Sequence, residues 1–80
     1  MQSFYFIEYE MPYGHLEYSE EVFRSSEEAV RHAKLDAKEK NCATAKICVG
    51  FVADGIDLED AYDECIYGET GYGIVTKLHF

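Results

Sequence analysis

Apolar and polar positions alternate from residue 3 to residue 11. Tyr5, Ile7, Tyr9 and Met11 fall on one face, and Phe4, Phe6, Glu8 and Glu10 on the other. Period two with aromatic residues predicts a strand. Pro12, Tyr13 and Gly14 supply a turn, because proline presets its own φ and glycine accepts a positive one. Residues 15–23 then read as a second strand, with Leu16, Tyr18 and Val22 on one side, so the first quarter of the chain predicts a hairpin.

The period changes at Ser25. Ser25, Glu27 and Glu28 make a helix start in which Ser25 caps the Glu28 amide and Glu28 reaches back. The helix is expected over residues 26–41, with Ala29, Val30, Ala33 and Ala37 as its apolar stripe. Glu27 with Arg31, and Asp36 with Lys40, stand at i, i+4 spacing, which favours ion pairs along the helix. Residues 43–53 form the most apolar strand. Ala45, Ile47, Val49 and Phe51 share one face, and Thr44, Lys46, Cys48 and Val52 the other. Ile47, Val49 and Phe51 are therefore expected in the core. Asp54 and Gly55 close this strand with a turn.

From residue 57 to 67 the period is helical again. Leu58, Ala61, Tyr62, Cys65 and Ile66 follow the i, i+3, i+4, i+7, i+8 rule. Asp57 stands at the N-cap position and Gly68 at the C′ position. A strand over residues 62–67 is the competing reading, but it would put charge on both faces. Gly71, Tyr72 and Gly73 break the chain, and residues 74–80 predict a last strand with Ile74, Thr76, Leu78 and Phe80 on one face. The expected fold class is α+β: a small antiparallel or mixed four-stranded sheet in the order ββαβαβ. One long helix would pack on a face, accompanied by a short acidic helix. With 80 residues and no linker, residues 1–80 are expected to form one domain.

Charge changes what this fold is expected to do. Sixteen acidic residues stand against seven basic ones, for a net charge of -9. Residues 1–23 hold five carboxylates and no Lys or Arg, and residues 54–69 hold seven and again none. A field of one sign attracts cationic partners and repels nucleic acid and anionic membrane. Apolar residues make up 48%, too many for a disordered acidic tail. No apolar run approaches the roughly 20 residues of a membrane span. No basic region followed by an apolar stretch marks a signal peptide. Three widely spaced cysteines point to reduced thiols, and with them to the cytoplasm (a host cytoplasm if the chain is phage-encoded).

Candidate chemistry narrows the field further. Cys42, Cys48 and Cys65 lack the close pairing of structural zinc ligands and read as small buried hydrophobes. Asp54, Asp57, Glu59 and Asp60 do not match a calcium loop. His15, His32 and His79 carry no flanking catalytic signature, and Gly71 and Gly73 precede no helix that would hold phosphate. No cofactor or metal is expected. The tyrosines sit among acids, as Tyr9 does between Glu8 and Glu10, so base stacking over a cationic groove is disfavoured.

What survives is an acidic, tyrosine-bearing surface. Glu59, Asp60, Asp63 and Glu64 cover one helical face, with Tyr67 at its end. Glu8, Glu10 and Tyr9 offer a second patch on the hairpin. The charge serves either solubility alone or the binding of a basic partner, with tyrosine adding interface area. Leu35, opposite the Ala/Val stripe, is a further candidate anchor. The layout of hairpin, capped helix (Ser26, Glu27, Glu28, Ala29), strand and closing strand, in a small Tyr-rich acidic chain, resembles the small phage-encoded inhibitors of host defence. These include anti-CRISPR proteins and DNA-mimicking anti-restriction proteins. The resemblance implies stoichiometric binding, without enzyme activity or cofactor, to a basic nucleic-acid-binding protein or nucleoprotein complex. The charge itself argues against direct contact with nucleic acid or membrane, and a monomer or small homo-oligomer is expected. The rival expectation is a small antitoxin or regulatory adaptor that neutralises a partner protein.

Overall fold

The computed structural model describes residues 2–68 and 71–80. The elements are β1 (Gln2–Glu10), a 3-10 turn (Pro12–Gly14), β2 (Leu16–Tyr18), α1 (Ser26–Lys40), β3 (Thr44–Val52), α2 (Leu58–Tyr67) and β4 (Gly73–His79). All strand pairs are antiparallel, and their order across the sheet is β2-β1-β3-β4. The architecture is α+β, with a helix on each face of the four-stranded sheet. Residues opposite one another on an antiparallel ladder share a face. The register therefore sorts the core into two halves.

On one face Ala29, Ala33 and Ala37 of α1 lie against Ile7, Tyr9, Ala45 and Ile47. Alanine at every fourth position lets the helix axis approach the sheet closely. On the other face Ala61, Tyr62 and Cys65 of α2 cover Phe4, Phe6, Cys48 and Val52. Phe6 is the hub there, with its ring 5.0 Å from those of both Tyr62 and Tyr72. Gly50 permits this packing. A Cβ at that position would stand 2.5 Å from Phe4 Cζ, closer than real Cβ atoms come, and a tight 3.0 Å from Cys65 Sγ.

Several expectations are corrected. Phe51, expected in the core, is 56% exposed, because α1 stops short of that end of β3. Only residues 16–18 of the predicted second strand pair regularly. Ser19 interrupts the ladder: its Oγ accepts from the Ile7 amide at 3.1 Å and donates to the Glu21 carbonyl at 2.8 Å. Such side-chain bonds compete with strand pairing. The chain then rejoins β1 at the isolated Tyr5–Phe23 bridge.

The capping box is half made, since Ser25 Oγ accepts from the Glu28 amide at 3.2 Å but no return bond forms. Neither expected i, i+4 ion pair forms on α1. Asp36 lies 3.4 Å from His32 Nε2 instead, and Lys40 reaches Glu17 at 3.5 Å. Over residues 58–67 the helix displaces its strand alternative. Gly68 ends α2 at φ -100, outside the left-handed region expected of it.

A register shift between Ile47 and Cys48 changes the last strand. Thr76 stands opposite Ile47 and Leu78 opposite Ala45, whereas Ile74 stands opposite Cys48. Ile74 thus faces α2, while Thr76 and Leu78 face α1. The expected common face for these residues is broken by one bulged residue. No described helix is long and apolar enough to cross a membrane.

Candidate acidic binding groove

The sheet separates the charges of the chain. α1, on one face, mixes Arg31, Lys34, Lys38 and Lys40 with its acids, whereas α2, on the other, carries Glu59, Asp60, Asp63 and Glu64 and no cation. At the β2 edge of the sheet two carboxylates of the predicted α2 patch, Glu59 and Asp63, meet Glu17 and Glu20 of the hairpin side rather than the expected Glu8 and Glu10. A groove of about 480 Å³ runs between β2, the Ser19–Glu20 turn and α2. Glu59, Asp63 and Ile66 border it from the helix, and Leu16, Glu17 and Glu20 from the hairpin side, with Tyr62 and Tyr67 also in the wall.

The local sequence explains why these groups converge. Glu59, Tyr62, Asp63 and Ile66 are spaced i, i+3, i+4 and i+7, so they lie on one flank of the helix. Tyr62 is buried and its hydroxyl donates to the Ser19 carbonyl, which pins α2 to the interruption in β2. Burial holds the Tyr62 phenol above its usual range. Glu17 is partly neutralised by Lys40, 3.5 Å away, and His15 Nε2 lies 4.0 Å from it. Among the described residues, Glu20, Glu59 and Asp63 form no ion pair within 4.0 Å.

The predicted site residues divide three ways. Glu59, Asp63 and Tyr67 line the groove. Asp60 and Glu64 are exposed on the outer side of α2, and Glu10, also exposed, accepts from the Thr44 hydroxyl at 3.0 Å. Glu8 and Tyr9 are not surface residues at all. Glu8 is 8% exposed: Tyr72 donates to its Oε2 at 3.0 Å, and Lys46 Nζ lies 3.8 Å from its Oε1. Tyr18, burial and the Glu8 carboxylate together hold the Tyr72 phenol above its usual range. Tyr9 is fully buried under α1, where its hydroxyl donates to Asp36. Both were expected to face a partner. A strand with a helix on each side leaves neither face open.

Sequence reasoning missed Glu17, Glu20, Leu16 and Ile66. The interval of about forty residues between β2 and α2 hides their proximity, which depends on the sheet order and the Tyr62–Ser19 bond. A second cavity, of about 310 Å³, contains Ser19, His32, Asp36 and Lys40. Its members suggest a nucleophile, base and acid, but Ser19 Oγ is committed to Ile7 and Glu21 and makes no bond to His32. Among the described residues no cluster of three or more His, Cys, Asp or Glu is placed to hold a metal ion. Cys42, Cys48 and Cys65 are all buried.

No family model matches the chain, and neither the curated proteins nor the solved structures give a match.

Proposed function

We propose that this protein is a non-enzymatic inhibitor that binds a basic nucleic-acid-binding protein or nuclease complex, with carboxylates standing in for phosphates. The observation that carries this reading is the convergence of unpaired Glu20, Glu59 and Asp63 on a groove that also has aromatic and aliphatic walls. A Lys or Arg side chain has the same two parts, an apolar stem and a charged head. The groove accepts the stem against Leu16, Ile66 and Tyr67 and the head between carboxylates. Asp60 and Glu64 extend the negative field beyond the groove and steer the approach of a cationic surface. The α1 face, with its mixed charges, is turned away from the interaction.

The phage-inhibitor resemblance supports the same mechanism, and a cytoplasmic site of action goes with it. An antitoxin or adaptor role would use the groove equally well against a basic toxin, and partner identity separates the two. The experiment is a pull-down from cell extract at low and high salt, followed by competition with DNA or RNA. Capture of a nucleic-acid-binding protein that salt and nucleic acid both displace supports the proposal. Capture indifferent to both would assign the carboxylates to solubility alone.

A further inference from the structure

Among the described residues, β4 is an edge strand whose side chains are exposed except for Leu78. α1 and α2 pack mainly on β1 and β3, and of β4 Leu78 alone is packed against the α1 core. Only Leu78 of its described side chains near the sheet edge is partly buried; Ile74 is 58% and Val75 47% exposed. At the opposite edge β2 is three residues long and broken by Ser19. Among the described residues β4 therefore presents the only extended strand edge without a backbone partner, the feature that templates pairing with another strand.

The amide of Phe80 donates to the Ala43 carbonyl at 2.9 Å, so it points inward to β3. By strand alternation the backbone N–H and C=O of Lys77 and His79 point outward. We propose that two copies of this chain pair, antiparallel, through residues 76–80 about a two-fold axis at Leu78. Lys77 of each copy then exchanges both backbone bonds with His79 of the other, four bonds in all. Leu78 meets its own copy, and Thr76 meets Phe80, on the α1 face.

Charge selects both occupant and register. Residues 71–80 contain no Asp or Glu and carry Lys77, so here two chains of net charge -9 approach with little side-chain repulsion. A two-fold axis one residue earlier would set Lys77 directly against Lys77, a destabilising like-charge pair. An axis at Thr76 would run the ladder into the bulge that separates Thr76 from Ile74. The register at Leu78 avoids both. Lys46, the neighbour of Lys77 on the ladder, is already paired with Glu8. A five-residue ladder buries less than a standard interface, so the dimer is weak and concentration-dependent. Added salt screens the net repulsion and strengthens it, the reverse of its effect on a cationic partner.

Sedimentation equilibrium tests this from micromolar to about 1 mM protein, in low and in roughly 0.5 M salt. The mass is expected to rise from 9.2 kDa towards twice that value, more readily in high salt. Lys77→Pro removes an outward donor that β3 does not use, so it abolishes the rise and leaves the circular-dichroism spectrum unchanged. Amide exchange in the unsubstituted chain gives an independent measure: the Lys77 and His79 amides slow as concentration rises. A mass of 9.2 kDa throughout overturns the proposal, even if the edge instead accepts a strand of another protein. So does a dimer in which these two amides exchange freely.

Discussion

The Tyr9 hydroxyl donates to Asp36 Oδ2 at 3.1 Å, which bonds the C-terminal end of β1 to the third turn of α1. Lys40, one turn further along, lies over the same ring at 5.2 Å from its centroid. The tyrosine is thus both core and tether. Tyr9→Phe keeps the ring and leaves Asp36 with only His32. The expected loss is about 1–2 kcal/mol, since the acceptor is charged but partly wet. Urea unfolding measures it, and an unchanged midpoint would show that the bond contributes nothing net.

The two faces of the sheet respond differently to truncation. Phe6 is fully buried among Phe4, Tyr18, Tyr62 and Tyr72. Phe6→Ala is expected to cost about 3–5 kcal/mol. Phe51→Ala, at a ring more than half exposed, is expected to cost less than about 1 kcal/mol. Thermal melts of the two variants check the contrast. Equal losses would mean that Phe51 is covered in solution.

That contrast also marks what the sequence could reveal. Period-two and period-3.6 patterns located all four strands and both helices, because each element buries a face and its apolar residues must recur at its own period. Ala29, Ala33 and Ala37, and Ala61, Tyr62 and Cys65, were legible for that reason. Phe51 was not, because a strand's pattern tells which face a residue takes but not how far a covering helix extends. Glu8 and Tyr9 were misplaced for a related reason. Polar residues on a strand read as solvent-facing, yet here Tyr72, Lys46 and Asp36 arrive from distant segments to satisfy them. Half of the groove was legible as the acidic flank of α2. The other half, Glu17 and Glu20, depends on strand order, which local periodicity does not encode.

The buried thiols set an alkaline limit on stability. Burial, and secondarily the Glu8 carboxylate, push the Cys48 thiol from 9.0 up to about 12. Burial also raises Cys42, Cys65 and Tyr62. A group that ionises less readily when folded favours the folded state below its unfolded pKa. That contribution is then lost as pH rises to the folded value. Stability is therefore expected to fall between about pH 9 and pH 12, with little change from this source below pH 8. Urea midpoints across that range test the sign. The same burial predicts that a thiol-reactive aromatic disulfide labels Cys48 at pH 8 only after denaturant is added. Rapid labelling of the native protein would contradict this.

Charge reversal separates the groove from the surrounding field. Glu59 and Asp63 line the groove, whereas Asp60 and Glu64 lie on the same helix but outside it. Each pair reversed to lysine changes the net charge by the same amount. General attraction to a cationic partner would suffer equally from either double variant. A partner side chain seated between Glu59, Asp63 and Glu20 would lose its contacts only in Glu59→Lys/Asp63→Lys, and would then meet like charge. Loss of binding is accordingly expected to be at least tenfold greater for that pair, mainly as faster dissociation. Asp60→Lys/Glu64→Lys is expected to slow association and to weaken its salt dependence. All four side chains are exposed, so both proteins should melt as the unsubstituted chain does. Binding kinetics with the captured partner at two salt concentrations decide the matter: equal losses from the two pairs would reduce the groove to part of a diffuse acidic surface.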